Sequence, residues 1–145
     1  MLTDPYGTSP LTKSIIGCAI RVHEVIGPGV YESVYGECLA FEFTERGLAF
    51  DTQRAVPLVY KGSPLKARYY VDFVVENQVI VELKSVAELA VIHERQVLTQ
   101  LKLADLPVGL LINFNVVRLV DGVKRVVNPQ FSGRHSSKGL ISRNT

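Results

Sequence analysis

Apolar residues recur at helical spacing in the first third of the chain. Ile15, Ile16, Ala19, Val22, Val25 and Ile26 form one stripe, and Val34, Cys38, Leu39, Phe41 and Phe43 form a second. This spacing predicts a helix from Thr12 or Ser14, either of which can cap it, to about Ile26. Gly27-Pro28-Gly29 interrupts the pattern and predicts a tight turn. A second helix is expected from about Val30 to Arg46, closed by Gly47. The period then changes to two. Residues 48–60 read as a short edge segment followed by Ala55–Tyr60, with Pro57 confining that strand to a sheet edge. Arg68–Val75 and Val79–Lys84 read as strands joined around Asn77, after a turn at Lys61-Gly62-Ser63-Pro64. A helix from about Leu89 to Ala104 is followed by Gly109–Phe114, apolar enough for burial on both faces. Val116–Val120 and Val123–Val127 flank Asp121-Gly122, a strong hairpin signal. The order α, α, β, β, β, α, β plus a terminal hairpin predicts a mixed α/β sheet flanked by helices.

Length and composition narrow the picture. A chain of 145 residues, 47% hydrophobic and 21% charged, fits one soluble globular domain. No apolar run approaches a membrane span and the N-terminus does not read as a secretion signal, so a cytoplasmic location is expected. Cys18 and Cys38 are too few for a cysteine-rich zinc site and read as small core residues. The formal charge of +2 hides an asymmetry. Residues 129–145 carry Arg134, Lys138 and Arg143 with no acid, whereas residues 1–128 hold 13 bases against 14 acids. The folded part therefore lacks the overall basic excess of a dedicated DNA-binding module. The segment 129–145 reads as a disordered basic tail.

Asp72, Glu82 and Lys84 stand out because they sit inside strands that otherwise read as buried, where a charge needs a partner. In a hairpin centred on Asn77, facing residues have numbers that sum to 154. Asp72 then faces Glu82 and Tyr70 faces Lys84, with the two carboxylates' Cβ atoms roughly 5 Å apart. That like-charge pair is unfavourable alone and becomes a ligand set around a divalent cation. Two hard oxygen donors suit Mg²⁺ or Mn²⁺, which keeps several waters and accepts substrate phosphate. Leu83 packs its side chain inward and offers its carbonyl as a further ligand. Lys84, about 7 Å along the strand from Glu82, can orient an attacking water or stabilise charge on phosphorus. The competing reading is a structural ion pair between Lys84 and either acid.

The stretch Gly27–Tyr35 contains G-x-x-E-x-x-Y as Gly29, Glu32 and Tyr35. Together with Tyr70-Val71-Asp72, Val81-Glu82-Leu83-Lys84 and Gly109–Phe114, it resembles the GxxExxY proteins, a group within the PD-(D/E)XK nuclease superfamily. The resemblance covers about residues 12–128, with residues 1–11 as an N-terminal extension. It implies a restriction-endonuclease-like αβββαβ core with an extra N-terminal helix and a C-terminal hairpin. It also implies an active site of Asp72, Glu82 and Lys84, supported by Glu32 and by Gln96 on the following helix, with Asp72, Glu82, Leu83 and Glu32 as metal ligands. The chain departs from RecB-type relatives, which carry Gln-x-x-x-Tyr on that helix, by having Gln100 after Gln96. Glu32 also suits a helix N-terminus whatever its function. Tyr35 reads as packing, His23 and His93 as surface or partly buried polar residues, and Arg68 as solvated. The function expected is Mg²⁺- or Mn²⁺-dependent hydrolysis of phosphodiester bonds in DNA, less readily in RNA, although the resemblance itself does not supply the substrate; a homodimer or a larger repair or defence assembly is the expected setting. A non-catalytic nucleic-acid-binding or regulatory protein on the same scaffold is the alternative.

Overall fold

The apolar runs Phe73–Val75, Val79–Val81 and Leu110–Ile112 become the centre of a five-stranded sheet. The computed structural model describes residues 4–133. Its elements are α1 (Ser9–Ile26), α2 (Glu32–Arg46), β1 (Phe50–Tyr60), β2 (Ser63–Val75), β3 (Val79–Lys84), α3 (Val91–Ala104), β4 (Val108–Asn113) and β5 (Val123–Val127). The strands lie in the order β1-β2-β3-β4-β5. Neighbours are antiparallel except β3 and β4, which run parallel because α3 carries the chain between them. The mixed sheet flanked by helices is thus the architecture that the patterning predicts.

Alternation along the strands divides the core into two layers. Phe73, Val75, Val79, Val81 and Leu83 meet α1 and α2 through Ile15, Ala19, Val22, Tyr35, Leu39 and Phe43. Val71, Val74, Ile80 and Leu111 meet α3 through Val97, Leu101 and Ala104 on the other face. Every residue of β4 is buried, as its apolar run requires. Gly109 is needed there, because a Cβ would lie 2.6 Å from Val97 Cγ1 on α3.

Several boundaries differ from those expected. α1 starts at Ser9, because Asp4 caps it from outside: its carboxylate accepts from the Thr8 amide at 2.8 Å and the Ser9 amide at 2.6 Å. The Ser9 amide holds that carboxyl well below the usual carboxylate range. Residues 48–60 give one edge strand rather than two pieces, and β2 begins at Ser63, five residues before Arg68. In α2 the buried stripe is Tyr35, Leu39 and Phe43 at four-residue intervals, which turns Phe41 outward. Cys18 is buried and Cys38 half-buried; burial pushes the Cys18 thiol up.

The C-terminal hairpin does not form. Leu119–Gly122 is a 3₁₀ turn, and β5 pairs with β4 instead of with residues 116–120. Gly122 is there for close packing: a Cβ would fall 2.1 Å from the Asn113 carbonyl oxygen. Residues 129–133 of the expected tail dock on the body. The Phe131 ring packs edge-on against Tyr6, and Ser132 bonds to Asp105 through its amide and hydroxyl. Residues 134–145, with Arg134, Lys138 and Arg143, lie outside the described residues.

Candidate active site

The β2–β3 ladder pairs Val75 with Val79, Val74 with Ile80 and Phe73 with Val81, the register in which residue numbers sum to 154. It stops there. The facing pairs Asp72–Glu82 and Tyr70–Lys84 are therefore not ladder pairs, contrary to the regular hairpin expected. At that point the carboxylates take over from the backbone. The Asp72 amide donates to Glu82 Oε1 at 2.7 Å, and the Leu83 amide donates to Asp72 Oδ2 at 2.8 Å. Each acid satisfies a backbone donor that the parting strands would otherwise strand.

A kink in β1 and β2 accompanies the splay. Thr52 pairs with Phe73 and Arg54 with Val71, but the intervening pair of Gln53 and Asp72 is absent from the ladder. Gln53 adopts φ 48°, the left-handed region that a side chain disfavours. Asp72 and Phe73, adjacent in sequence, both line one cleft, which regular alternation forbids. Gln53 Nε2 donates to Asp72 Oδ1 at 3.2 Å. The cleft, about 330 Å³, lies between α2 and the sheet and is also lined by Glu32, Ser33 and Leu83.

Burial drives the Glu82 carboxyl up to about 8, and the neighbouring charge of Asp72 adds to the rise; the Asp72 amide and Lys84 oppose it, and Glu32 contributes a smaller upward push. At neutral pH this group holds a proton until positive charge arrives. Lys84 is half-buried at the end of β3 and makes no ion pair within 4.0 Å among the described residues. The structural ion pair considered for it is not formed. Leu83 buries its side chain in the core.

The G-x-x-E-x-x-Y stretch positions Glu32 through Tyr35. That ring is fully buried and stacked on Phe114, with centroids 4.3 Å apart and planes at 11°. Its hydroxyl donates to the Gly27 carbonyl at 2.6 Å and accepts from the Val30 amide at 3.3 Å, closing the turn in which Gly29 takes φ 91°. Ser85 Oγ donates to the Val30 carbonyl at 2.7 Å, tying this turn to the residue after Lys84. Glu32 thus sits exposed in the first turn of α2 at the wall of the Asp72 cleft. Among the described residues, no group of three or more His, Cys, Asp or Glu side chains gathers around one point, so Glu32 does not join the two acids as a third close ligand.

Gln96 is solvent-exposed on α3 and does not line the cleft. Gln100, where RecB-type relatives have Tyr, is buried with no partner for its Oε1 among the described residues. His23 is more buried than expected and bonds through Nε2 to the Val116 carbonyl at 2.8 Å, while His93 Nδ1 accepts the Ala90 amide at the start of α3. Sequence reasoning missed Gln53, Ser85 and Asn113. Asn113 holds the loop after Lys84 by accepting from the Val86 amide at 3.1 Å and donating to its carbonyl at 3.0 Å. Its only signal is a polar side chain ending an apolar strand.

The donor set fits a hard divalent cation. Asp72 and Glu82 bring carboxylate oxygens together where the β2–β3 ladder ends, with Lys84 on the same strand as Glu82. No curated protein and no solved structure matches the chain. A family model described as the PD-(D/E)XK nuclease superfamily, whose nucleases generally use divalent metal ions, matches residues 9–126. That span runs from the first residue of α1 into β5 and contains every residue of the cleft, so the chain belongs to the PD-(D/E)XK nuclease superfamily.

Proposed function

We propose that this protein is a Mg²⁺- or Mn²⁺-dependent nuclease that hydrolyses phosphodiester bonds in DNA, and that it falls in the GxxExxY group. The observation that carries the reading is the reciprocal bonding of Asp72 and Glu82 where β2 and β3 part. Asp72, Glu82 and the Leu83 carbonyl would hold the ion. When bound, it polarises a phosphoryl oxygen and acidifies a coordinated water. Deprotonated Glu82 supplies negative charge to the ion, and Asp72 stays oriented by Gln53 and the Leu83 amide. Lys84 directs its ammonium at the water or at charge developing on the phosphate. Glu32, across the cleft, supports the water network.

The test is cleavage of labelled DNA and RNA by the full chain with Mg²⁺, Mn²⁺ or EDTA, beside Asp72→Asn and Lys84→Ala. Metal-dependent turnover by the wild type alone is expected. Robust turnover by both variants would remove the mechanism. Binding without turnover under every metal condition would favour the non-catalytic scaffold.

A further inference from the structure

Among the described residues, no element packs on the outer half of the β1–β2 hairpin. Every residue from Val59 to Tyr70 is exposed, so this two-stranded ribbon leaves the body with both faces in solvent. Its tip is a two-residue turn in which Lys61 and Gly62 both take positive φ, joining Tyr60 to Ser63. An isolated hairpin is marginally stable by itself. It also exposes large side chains, with Tyr60 at 62% and Tyr70 at 56%.

The charge of this ribbon is one-sided. Residues 57–70 carry Lys61, Lys66 and Arg68 and no acid. Without them, residues 1–128 hold ten bases against fourteen acids. The ribbon therefore carries a net +3 while the rest of residues 1–128 carries −4, and its cations are interleaved with Tyr60, Tyr69 and Tyr70. Lys61 Nζ already lies 5.5 Å from the Tyr60 ring centroid. Strand alternation puts Arg68, Tyr70 and Asp72 on one side of β2, Tyr70 roughly 7 Å from Asp72. The ribbon is thus the outward extension of the strand that carries Asp72.

We infer that this arm is the nucleic-acid grip of the protein: it lies along the DNA duplex, with Lys61, Lys66 and Arg68 on phosphates and Tyr70 beside the reacting strand. The inference rests on the nuclease reading above. A two-stranded ribbon fits the major groove of B-DNA. Phosphate contacts position a substrate without reading its sequence, which suits an arm that carries cations and no acid.

The experiment uses the full chain, a short fluorescein-labelled DNA duplex and the variant Lys61→Ala/Lys66→Ala/Arg68→Ala, with Tyr70→Ala as a second variant. Anisotropy gives Kd as a function of salt, and single-turnover cleavage at saturating enzyme gives the chemical step. The triple variant should bind at least tenfold more weakly, and the steepness of log K against log salt should fall by about two to three, roughly 0.9 per phosphate contact. Its melting temperature should stay close to wild type. Unchanged Kd and salt slope, with Asp72→Asn inactive, would overturn the arm and leave the nuclease intact. Weakened binding by the arm variants with no cleavage by any form would support the arm and remove the catalytic reading. A wild type that binds no duplex would overturn both. A smaller sedimenting species with unaltered DNA affinity would make the arm a contact between two copies of the chain and overturn the inference.

Discussion

The two halves of β2 differ in composition and live in opposite environments. From Ser63 to Tyr70 the strand is exposed on both faces; from Val71 to Val75 it is buried except at Asp72. Asp72 is therefore the border residue. The buried half fixes its backbone between two helix-packed layers, and the exposed half leaves room in front of its carboxylate. An acid deeper in the strand would be inaccessible, and one further out would be loosely held. The difference teaches that this strand serves as anchor at one end and as reach at the other.

The largest effect that sharpens this contrast is expected beside the border, on the neighbouring strand β3. Lys84→Ala should lower cleavage by on the order of 10³-fold, the upper range for losing one preorganised electrostatic group. Its melting curve should stay near wild type, which initial rates and circular dichroism check together. Next, Phe73→Ala in the buried half should destabilise the protein by about 3–5 kcal/mol. Tyr70→Ala in the exposed half should stay within about 0.5 kcal/mol. Equal losses in urea titrations of the two variants would break the comparison.

A smaller effect follows from Glu82. Its carboxyl titrates near 8 in the folded, metal-free protein and at an ordinary 4.5 when unfolded. The proton's stabilising contribution is thus complete below about 4.5 and is lost as pH rises through about 8. Metal binding must displace that proton, so affinity should strengthen with pH by up to about tenfold per unit and level off once the group has titrated. Thermal-shift titrations with Mn²⁺ at several pH values would show it, and Glu82→Gln should lack the dependence. A modest change is expected from Tyr35→Phe. Losing the hydroxyl's bond to the Gly27 carbonyl should destabilise by about 1 kcal/mol, measurable by urea unfolding.

Much of this was legible from residues alone. The three-pair register around Asn77 follows from the apolar runs Phe73–Val75 and Val79–Val81 that flank it symmetrically. Burial of β4 follows from its apolar run, and the edge position of β1 from Pro57. The acids and lysine were conspicuous because charge inside a buried strand demands a reason. The kink at Gln53 was hidden, because nothing local requires glutamine to take a left-handed backbone. The false hairpin at Asp121-Gly122 arose because glycine serves both tight turns and close packing, and only the Asn113 carbonyl distinguishes them. The start of α1 was misplaced because Asp4 caps it from four and five residues upstream. Ser85 and Asn113 act on the loop around the cleft through bonds to residues distant in sequence, which no periodicity can reveal.

The mutual amide bonds of Asp72 and Glu82 carry one more implication. Because each carboxylate is already clasped by the other strand's backbone, the two side chains are held in place without an ion. If they bind metal as proposed, stripping the ion should silence the chemistry without displacing them. Ion-free and ion-loaded forms should overlay closely at these two residues.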